Sequence, residues 1–468
     1  MFSIDDVLNS DPTASVVVCN GAGRFDAVSV DSRTIQKGEL FLALMGQNSD
    51  GGDFLNDAMK KTHGAIISLS HARRLNPADY PSSTIIASED TLTTLQRLAA
   101  HLRAKANLKV IAITGTNGKT TTKEMTATVL QRRFRVLKTT GNLNNHIGLP
   151  LTLTRLDGHD VAVLEMGASR IGDIRQLCEI ARPDIGIITN IGPGHLEGFG
   201  SLEGVRSGKL ELMDAVGHLI VNADDHFLMA EVLEKNRTMH KRLTTCAVDA
   251  GAEFSARIIN ANGTGLRLEV TLPDASVREI DIAIGGAFNV YNALAALAAG
   301  YVVVNHDNEL DKPAIDRFFD EAIDALSEFK GVAMRFEIRQ HRGATVLYDV
   351  YNANPASMKA AVADLVRFRG RRAIAVVGDM LELGSYSEGL HALLGRWMSQ
   401  LPVDVLITVG ESMKIAADEF VNQRKSKSGV HSVGDCNSAR EILDKILLVG
   451  DTVLIKGSRG NKMETILQ

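Results

Sequence analysis

Residues 110–121, Val110-Ile111-Ala112-Ile113-Thr114-Gly115-Thr116-Asn117-Gly118-Lys119-Thr120-Thr121, constrain this chain more than any other stretch. A short apolar run ends in a glycine-bearing turn, then Lys-Thr, then a helical pattern. That is the strand–loop–helix of a phosphate-binding loop. Successive backbone N–H groups and the positive end of the following helix cradle anions. Lys119 is expected to reach the terminal phosphates and the Thr120 hydroxyl to meet Mg2+, with Gly115, Thr116, Asn117, Gly118 and Thr121 completing the cradle. The stretch departs from G-x-x-x-x-G-K-[ST], whose first glycine would fall at Ile113. A strand-to-helix turn that happens to hold two glycines and a lysine is the other reading; the flanking strand and helix patterns favour a nucleotide.

A length of 468 residues suggests about three domains. With 51 Lys plus Arg against 56 Asp plus Glu the net charge is −5, with no block of like charges. Nothing suggests a nucleic-acid surface, so an anionic nucleotide must be held by local groups rather than by a global field. Cys19, Cys178, Cys246 and Cys436 lie far apart, form no CxxC pair and are each expected to be small core residues in a reducing compartment. The first residues, Met1-Phe2-Ser3-Ile4-Asp5-Asp6, carry acid where a signal peptide needs base, and no apolar run approaches the ~18–20 residues of a membrane span. A cytoplasmic, at most peripheral, protein is expected.

Three units follow in order. Residues 1–105 read as a small α/β unit: a helix from Ile4, a strand from Ala27 that runs into a polar turn by Arg33, strands at 39–44, 64–68 and 84–87, and a helix from Thr91 to Lys105. Asp31, Ser32 and Arg33 alone read as turn chemistry with a surface salt bridge. Residues 106–330 hold the phosphate loop and its helix. Next comes Thr139-Thr140-Gly141-Asn142-Leu143-Asn144-Asn145-His146, whose amides suit a polar substrate. The strand Val161 to Ala168 carries Glu165 near its carboxyl end, where open α/β sheets bind ligands. A glutamate closing an all-apolar run calls for a cation partner, and Mg2+ is the natural one. The next strand, from Ile185 to Asn190, empties into Gly192-Pro193-Gly194-His195. His195 is either a hydrogen-bonded loop histidine or, opposite Glu165, a metal or phosphate ligand. Lys209, on a helix from Ser201, is by default solvated. Residues 243–284 are β-rich, and a long alanine-rich helix to about Val304 brings Asn289 and Asn292 to one face of its first turn. Residues 331–468 repeat a strand-to-glycine-loop arrangement at 345–350, 372–378, 404–410 and 451–457, a Rossmann-like unit without a G-x-G-x-x-G fingerprint.

The motifs T-G-T-N-G-K-T-T at 114–121, E-M-G-A-S at 165–169, T-N-I-G-P-G-H-L-E at 189–197 and N-V-Y-N-A-L-A-A at 289–296 together resemble the Mur ligase family. G-N-L-N-N-H-I-G-L-P at 141–150, D-V-Y-N-A-N-P-A-S-M at 349–358, G-D-M-L-E-L-G at 378–384 and K-G-S-R-G-N-K-M-E at 456–464 are similar to its D-alanyl-D-alanine-adding branch. The Asp-Asn-Pro-Arg string of the diamino-acid-adding branch is absent. The resemblance covers all three units. It implies a three-domain α/β architecture: a small α/β substrate domain, a central P-loop ATPase domain with a parallel sheet plus a small β-rich part, and a Rossmann-like C-terminal domain. It also implies a reaction, in which ATP phosphorylates the carboxylate of UDP-MurNAc-tripeptide and the amine of D-Ala-D-Ala attacks the acyl phosphate.

Carried over by position, the resemblance gives Lys119 the β/γ-phosphates. It gives Thr120 and Glu165 one Mg2+, and His195 a part in binding a second. Lys209 falls where the family has a lysine that is often carbamylated. Asn289 and Asn292 match adenine-side asparagines, Asn289 being the preferred contact. Arg335 and Asp349 match groups that reach the γ-phosphate and ribose, with Tyr351, Asn352 and Asn354 on the ATP and dipeptide side. Lys456 and Ser458 would lie near the dipeptide carboxylate. Ser32, Arg33 and the loop Gly46 to Phe54, with Asp50, would hold the uridine diphosphate end, and Asn142, Asn144 and Asn145 the path to the tripeptide. Departures from the family are Phe288 and Gly52, each where relatives often have His. Closure about a hinge near Lys330-Gly331 is implied, and a monomer is expected. Two alternatives remain: another ATP-dependent amide ligase of this family, diamino-acid-adding or folylpolyglutamate-like, and a P-loop NTPase switch that drives association.

Overall fold

The computed structural model describes residues 1–46, 50–262, 265–305 and 311–468. Its largest sheet has nine strands, in the order Val277–Ile282, Gly265–Thr271, Phe254–Asn262, Arg242–Ala247, His218–Asn222, Ile185–Ile188, Lys109–Thr114, Val161–Glu165, Val136–Lys138. From Val136–Lys138 to Phe254–Asn262 neighbouring strands run parallel, and the last two pair antiparallel. The β-rich stretch is thus an extension of the same sheet. The strand leading into the phosphate loop lies between Val161–Glu165 and Ile185–Ile188. Glu165 pairs in register with Ile113, and Ile188 with Thr114. All three strands therefore release their loops at one carboxyl edge, which is what brings Glu165 and Asn190 beside the phosphate loop.

Burial on both faces explains the unbroken apolar run. Val110 and Ala112 join the core on one side; Ile111 and Ile113 join the core on the other, against the helix Asn289–Val304. Alanines in that helix let it approach the phosphate-loop helix Lys119–Leu130. A Cβ added at Gly300 would come within 2.9 Å of Val129 Cγ1.

The first unit carries a five-stranded sheet, ordered Ser15–Cys19, Thr84–Ser88, Gly64–Ser68, Leu40–Leu42, Val28–Ser29. The strand expected to run from Ala27 into a polar turn ends at Ser29, and Asp31 turns the chain by accepting from the Arg33 backbone N–H. Cys178, Cys246 and Cys436 are buried, but Cys19 is exposed, a correction to the expectation of four core cysteines. It ends an edge strand that buries little besides Val18. The third unit has six strands, ordered Glu337–His341, Ala344–Asp349, Thr452–Lys456, Ala373–Gly378, Val405–Val409, Val430–Val433, all parallel but the first. No helix among the described residues is long and apolar enough to cross a membrane.

Between the second and third units the chain passes through Gly331 (φ 91), Met334 (φ 63) and Phe336 (φ 50). Two of these are not glycines, and each such left-handed residue costs about 1–2 kcal/mol unless its surroundings impose it. Phe336 packs edge-on against Phe288 of the second unit, ring centroids 5.5 Å apart, and its N–H donates to Asp349.

Candidate active site

A cavity of about 930 Å³ lies where the second and third units meet. The phosphate loop forms its floor. Gly115 (φ 139) and Gly118 (φ 83) adopt backbone open to few other residues, and both are crowded: an added Cβ would stand 2.0 Å from Thr189 Oγ1 and 2.4 Å from Asn292 Oδ1 respectively. The loop is held from the neighbouring strand end. The Asn117 N–H donates to Asn190 Oδ1 (3.0 Å), Asn190 Nδ2 and Thr189 Oγ1 donate to the Asn117 carbonyl (3.1 and 2.6 Å), and the Thr116 N–H donates to the Asn190 carbonyl (2.9 Å). Lys119 folds back, donating to the Gly115 and Thr116 carbonyls at 2.8 and 3.1 Å. Burial pushes its ammonium below the usual lysine range; Glu165 opposes this and Arg335 adds to it.

Glu165 is 2% exposed. One carboxylate oxygen accepts from Asn144 Nδ2 at 2.8 Å; the other, Oε2, is buried with no hydrogen-bond partner. A buried carboxylate oxygen so placed, in the cavity that Thr120 also lines, fits a hard divalent cation. The described residues hold no group of three or more His, Cys, Asp or Glu that could hold a metal ion. His195 does not pair with Glu165. Its Nδ1 lies 2.5 Å from Oε2 of Glu382 in the third unit. Lys209 is not solvated: it is 2% exposed, donates to the Ala168 carbonyl at 3.3 Å and sits behind the cavity wall, 5.4 Å from the Phe199 ring centre. Burial and then the charge of Lys119 hold its pKa well below the usual range.

Asn292 reaches the cavity wall. Its Oδ1 accepts from Thr122 Oγ1 at 3.0 Å and its Nδ2 donates to Asn289 Oδ1 at 2.8 Å. Asn289 lies behind it, donating to the Gly285 carbonyl at 2.6 Å. Phe288 and Tyr291 line the same side, and Tyr291 donates to Asp224 (2.9 Å).

The third unit supplies the roof. Asp349 and Lys456 are register partners on adjacent parallel strands, and Lys456 Nζ lies 2.5 Å from Asp349 Oδ2 while donating to the Asn352 carbonyl at 2.9 Å. Ser458 donates to the Ala353 carbonyl and accepts from the Leu381 N–H. The Arg335 guanidinium stacks over Tyr351 at 4.0 Å. Asn354 caps the helix Pro355–Arg367 and meets Asn117.

The Asn-rich loop faces the first unit. Asn142, Asn144 and Asn145 line the cavity, Asn145 also accepts from the Ile147 and Gly148 N–H groups, and the His146 carbonyl accepts from Gln96. Ser32, Arg33, Gly46 and Asp50 do not line the cavity. They lie in loops after the parallel strands Val28–Ser29 and Leu40–Leu42, where Arg33 is bidentate to Asp31 at 2.8–2.9 Å and Lys61 donates to the Ser32 carbonyl. Asp50 accepts from the Gly52 N–H. Gln47, Asn48 and Ser49 of the loop expected to grip the substrate lie outside the described residues.

Asn190, Asp225, Arg170 and Glu382 also line the cavity, and sequence reasoning gave none of them a role. The strand-end rule that singled out Glu165 applies equally to Asn190. Glu382 falls inside the G-D-M-L-E-L-G stretch at 378–384, but nothing local marks its partner, which lies almost two hundred residues away.

Three family models match: "Mur ligase family, catalytic domain" over residues 24–103, "Mur ligase middle domain" over 113–300 and "Mur ligase, glutamate ligase domain" over 334–459. A UDP-N-acetylmuramoyl-tripeptide--D-alanyl-D-alanine ligase of Bacillus subtilis is 33% identical, over 94% of this chain and 92% of its own. Among solved structures, MurF from Acinetobacter baumannii superposes with a TM-score of 0.83 at 28% identity, covering 99% of this chain and 97% of that one. A MurF ligase from Thermotoga maritima in complex with ADP gives 0.78 at 28%, covering 95% and 96%.

Proposed function

From the premise that this chain belongs to the Mur ligase family, we propose that it is an ADP-forming ligase that joins D-alanyl-D-alanine to UDP-N-acetylmuramoyl-tripeptide in peptidoglycan synthesis. The observation that carries the reading is the single cavity in which the phosphate loop, the Asn142–Asn145 loop and the D-V-Y-N-A-N and K-G-S loops of the third unit converge. A switch or association NTPase has no use for that third wall.

The reaction needs an activated carboxylate. The tripeptide carboxylate attacks the γ-phosphorus of ATP, ADP leaves, and the amine of D-Ala-D-Ala then attacks the acyl carbon and expels phosphate, losing a proton. Donor, acceptor and transition state are all anionic, so positive charge must be gathered and water kept out. Lys119 would leave the loop carbonyls for the β/γ-phosphates, with N–H groups of residues 115–121 around them. Arg335 would approach from the third unit. Asn292 and Asn289 would serve the adenine side, and Asp349 and Asn352 the ribose and γ-phosphate side. Asn354, Tyr351, Lys456 and Ser458 would shape the dipeptide subsite. Thr120 and Glu165 would hold Mg2+, His195 would serve a second ion, and a carbamate on Lys209 would add an anionic ligand; bound there, the ions would offset charge developing on the transferred phosphoryl group. The first unit, residues 1–105, would grip the uridine diphosphate end through Ser32, Arg33, Gly46 and Asp50, the second, 106–330, ATP, and the third, 331–468, the dipeptide. The reading puts the enzyme in the cytoplasm, where its nucleotide substrates are, as a monomer.

The test is phosphate release from ATP with UDP-MurNAc-tripeptide, with and without D-Ala-D-Ala. Release that requires the dipeptide, with a product heavier by the dipeptide less water, is expected. Release that requires a single amino acid instead would move the chain to another branch of the family, and release that needs no acceptor would favour a switch.

A further inference from the structure

Two non-glycine residues in left-handed backbone face each other across the junction of the second and third units: His195 at φ 54 and Glu382 at φ 62. Both line the cavity. Besides the 2.5 Å contact between Nδ1 and Oε2, the Glu382 carbonyl accepts from the Glu197 N–H at 3.3 Å, and Tyr386 donates to the Gly200 carbonyl at 3.1 Å. The loop bearing Glu382 is shaped within its own unit. The Met380 N–H donates to Nε2 of the buried His391 (3.1 Å), the imidazole's other nitrogen meets the Ser387 carbonyl (2.7 Å), and the Leu381 N–H donates to Ser458 Oγ (2.9 Å). Glu382 is therefore held in place from behind, and His195 is offered to it.

We propose that Glu382 is a positioning residue for the ligase reaction: by accepting the Nδ1–H of His195 when the third unit is seated on the second, it fixes the imidazole so that Nε2 is the free acceptor in the cavity. The proposal rests on the functional reading above. A neutral imidazole carries one proton, and the bond made by one nitrogen decides what the other can do. With Nδ1–H engaged, Nε2 keeps its lone pair for a cation or a donor on the substrate. With the third unit away, nothing in this contact selects that tautomer. One hydrogen bond thus links seating of the third unit to completion of the site. The contact stabilises the fold little, since the side chains are 39% and 57% exposed. Removing it should leave a folded protein.

Three variants test this: Glu382→Ala, Glu382→Gln and His195→Ala, singly and combined, with thermal unfolding as the control for folding. Glu382→Ala is expected to lower kcat roughly 10- to 100-fold, the usual loss for a partner that orients a ligating histidine. KM for ATP and for the dipeptide should shift less than about threefold, a split that general loosening would not give. Glu382→Gln, which can still accept from Nδ1–H, should recover most of the loss. In the His195→Ala background Glu382→Ala should cost less than about twofold more, because coupled residues are not additive. Ring 15N resonances with a non-hydrolysable ATP analogue should show the His195 proton on Nδ1 in the unaltered chain and a mixture of tautomers in Glu382→Ala. That readout needs no turnover, so it stands even if the unaltered chain proves inactive with D-Ala-D-Ala, which would count against the functional reading instead. Unchanged kcat in Glu382→Ala, losses that multiply with His195→Ala, or a proton on Nε2 in the unaltered chain would overturn the proposal.

Discussion

The side-chain amides of Asn117 and Asn354 face each other across the cavity, Asn354 Nδ2 donating to Asn117 Oδ1 at 2.7 Å and Asn117 Nδ2 standing 3.4 Å from Asn354 Oδ1. One belongs to the phosphate loop, the other to the first turn of a third-unit helix. Asn354 also caps that helix through the Ser357 N–H. Asn354→Asp keeps the capping oxygen and loses the donor to Asn117, whereas Asn354→Ala loses both. The Asp variant should unfold at the wild-type temperature, the Ala variant should lose about 1 kcal/mol, and both should turn over roughly tenfold more slowly. Parallel melting and phosphate-release curves check this; a normal rate in the Asp variant would remove the amide bridge from the catalytic account.

Gly118→Ala should abolish nucleotide binding with the fold kept. The new methyl would need to stand 2.4 Å from Asn292 Oδ1 and adopt φ 83, so the loop must move and its N–H groups lose their aim. Calorimetric titration with an ATP analogue should show at least a hundredfold weaker binding, on the order of 3 kcal/mol. Tight binding by this variant would mean that the loop does not cradle the phosphates.

Lys209 should depend on dissolved carbon dioxide. Burial and the charge of Lys119 push its pKa well down, which favours the neutral amine, the form that adds CO2. Protein equilibrated with 13C-labelled bicarbonate should show one carbamate carbon resonance that Lys209→Arg lacks, and activity should fall in degassed buffer and return with bicarbonate. A resonance that survives in Lys209→Arg would place the carbamate elsewhere.

Asp364 gives the fold a pH dependence of unusual sign. It is buried in the helix Pro355–Arg367, and burial raises its carboxyl from 3.8 to about 6, Arg367 and the Ala287 backbone pulling the other way. The folded state therefore binds the proton more tightly than the unfolded state. Its contribution is fully present below about pH 4 and is lost as pH rises through about 6, an effect on the order of 2–3 kcal/mol. Asp364→Asn should raise the denaturation midpoint at pH 7.5 and flatten its fall between pH 5 and 7.5. A midpoint profile unchanged by the substitution would show that Asp364 is not protonated in the folded chain.

The legible parts of this molecule were those written locally. The apolar run before Gly115, the glycines of the loop and the carboxylate ending Val161–Glu165 each announce themselves within a dozen residues, and the parallel sheet then brings them together. Thr91–Lys105 is readable from its helical periodicity, and in the structure Asp90 caps its start. The rest depended on contacts that no window contains. Lys209 looks solvated on its helix, and only packing beneath Phe199 reveals a buried amine. His195 seemed to face Glu165, but its partner arrives with another unit. The helix His226–Met239 buries only Leu228 and Val232, too thin a stripe to stand out from the surrounding polar sequence.

The linker from Gly331 to Phe336 has a kinetic meaning. Beyond Gly331, which crosses such torsions easily, Met334 and Phe336 sit in a narrow left-handed basin, separated by barriers from the right-handed and extended ones. A linker of this kind does not bend by degrees. Reorienting the third unit by flipping these torsions would move it between a few settings, like a switch with detents, and single-molecule distance records should show steps with dwell times rather than a continuous drift.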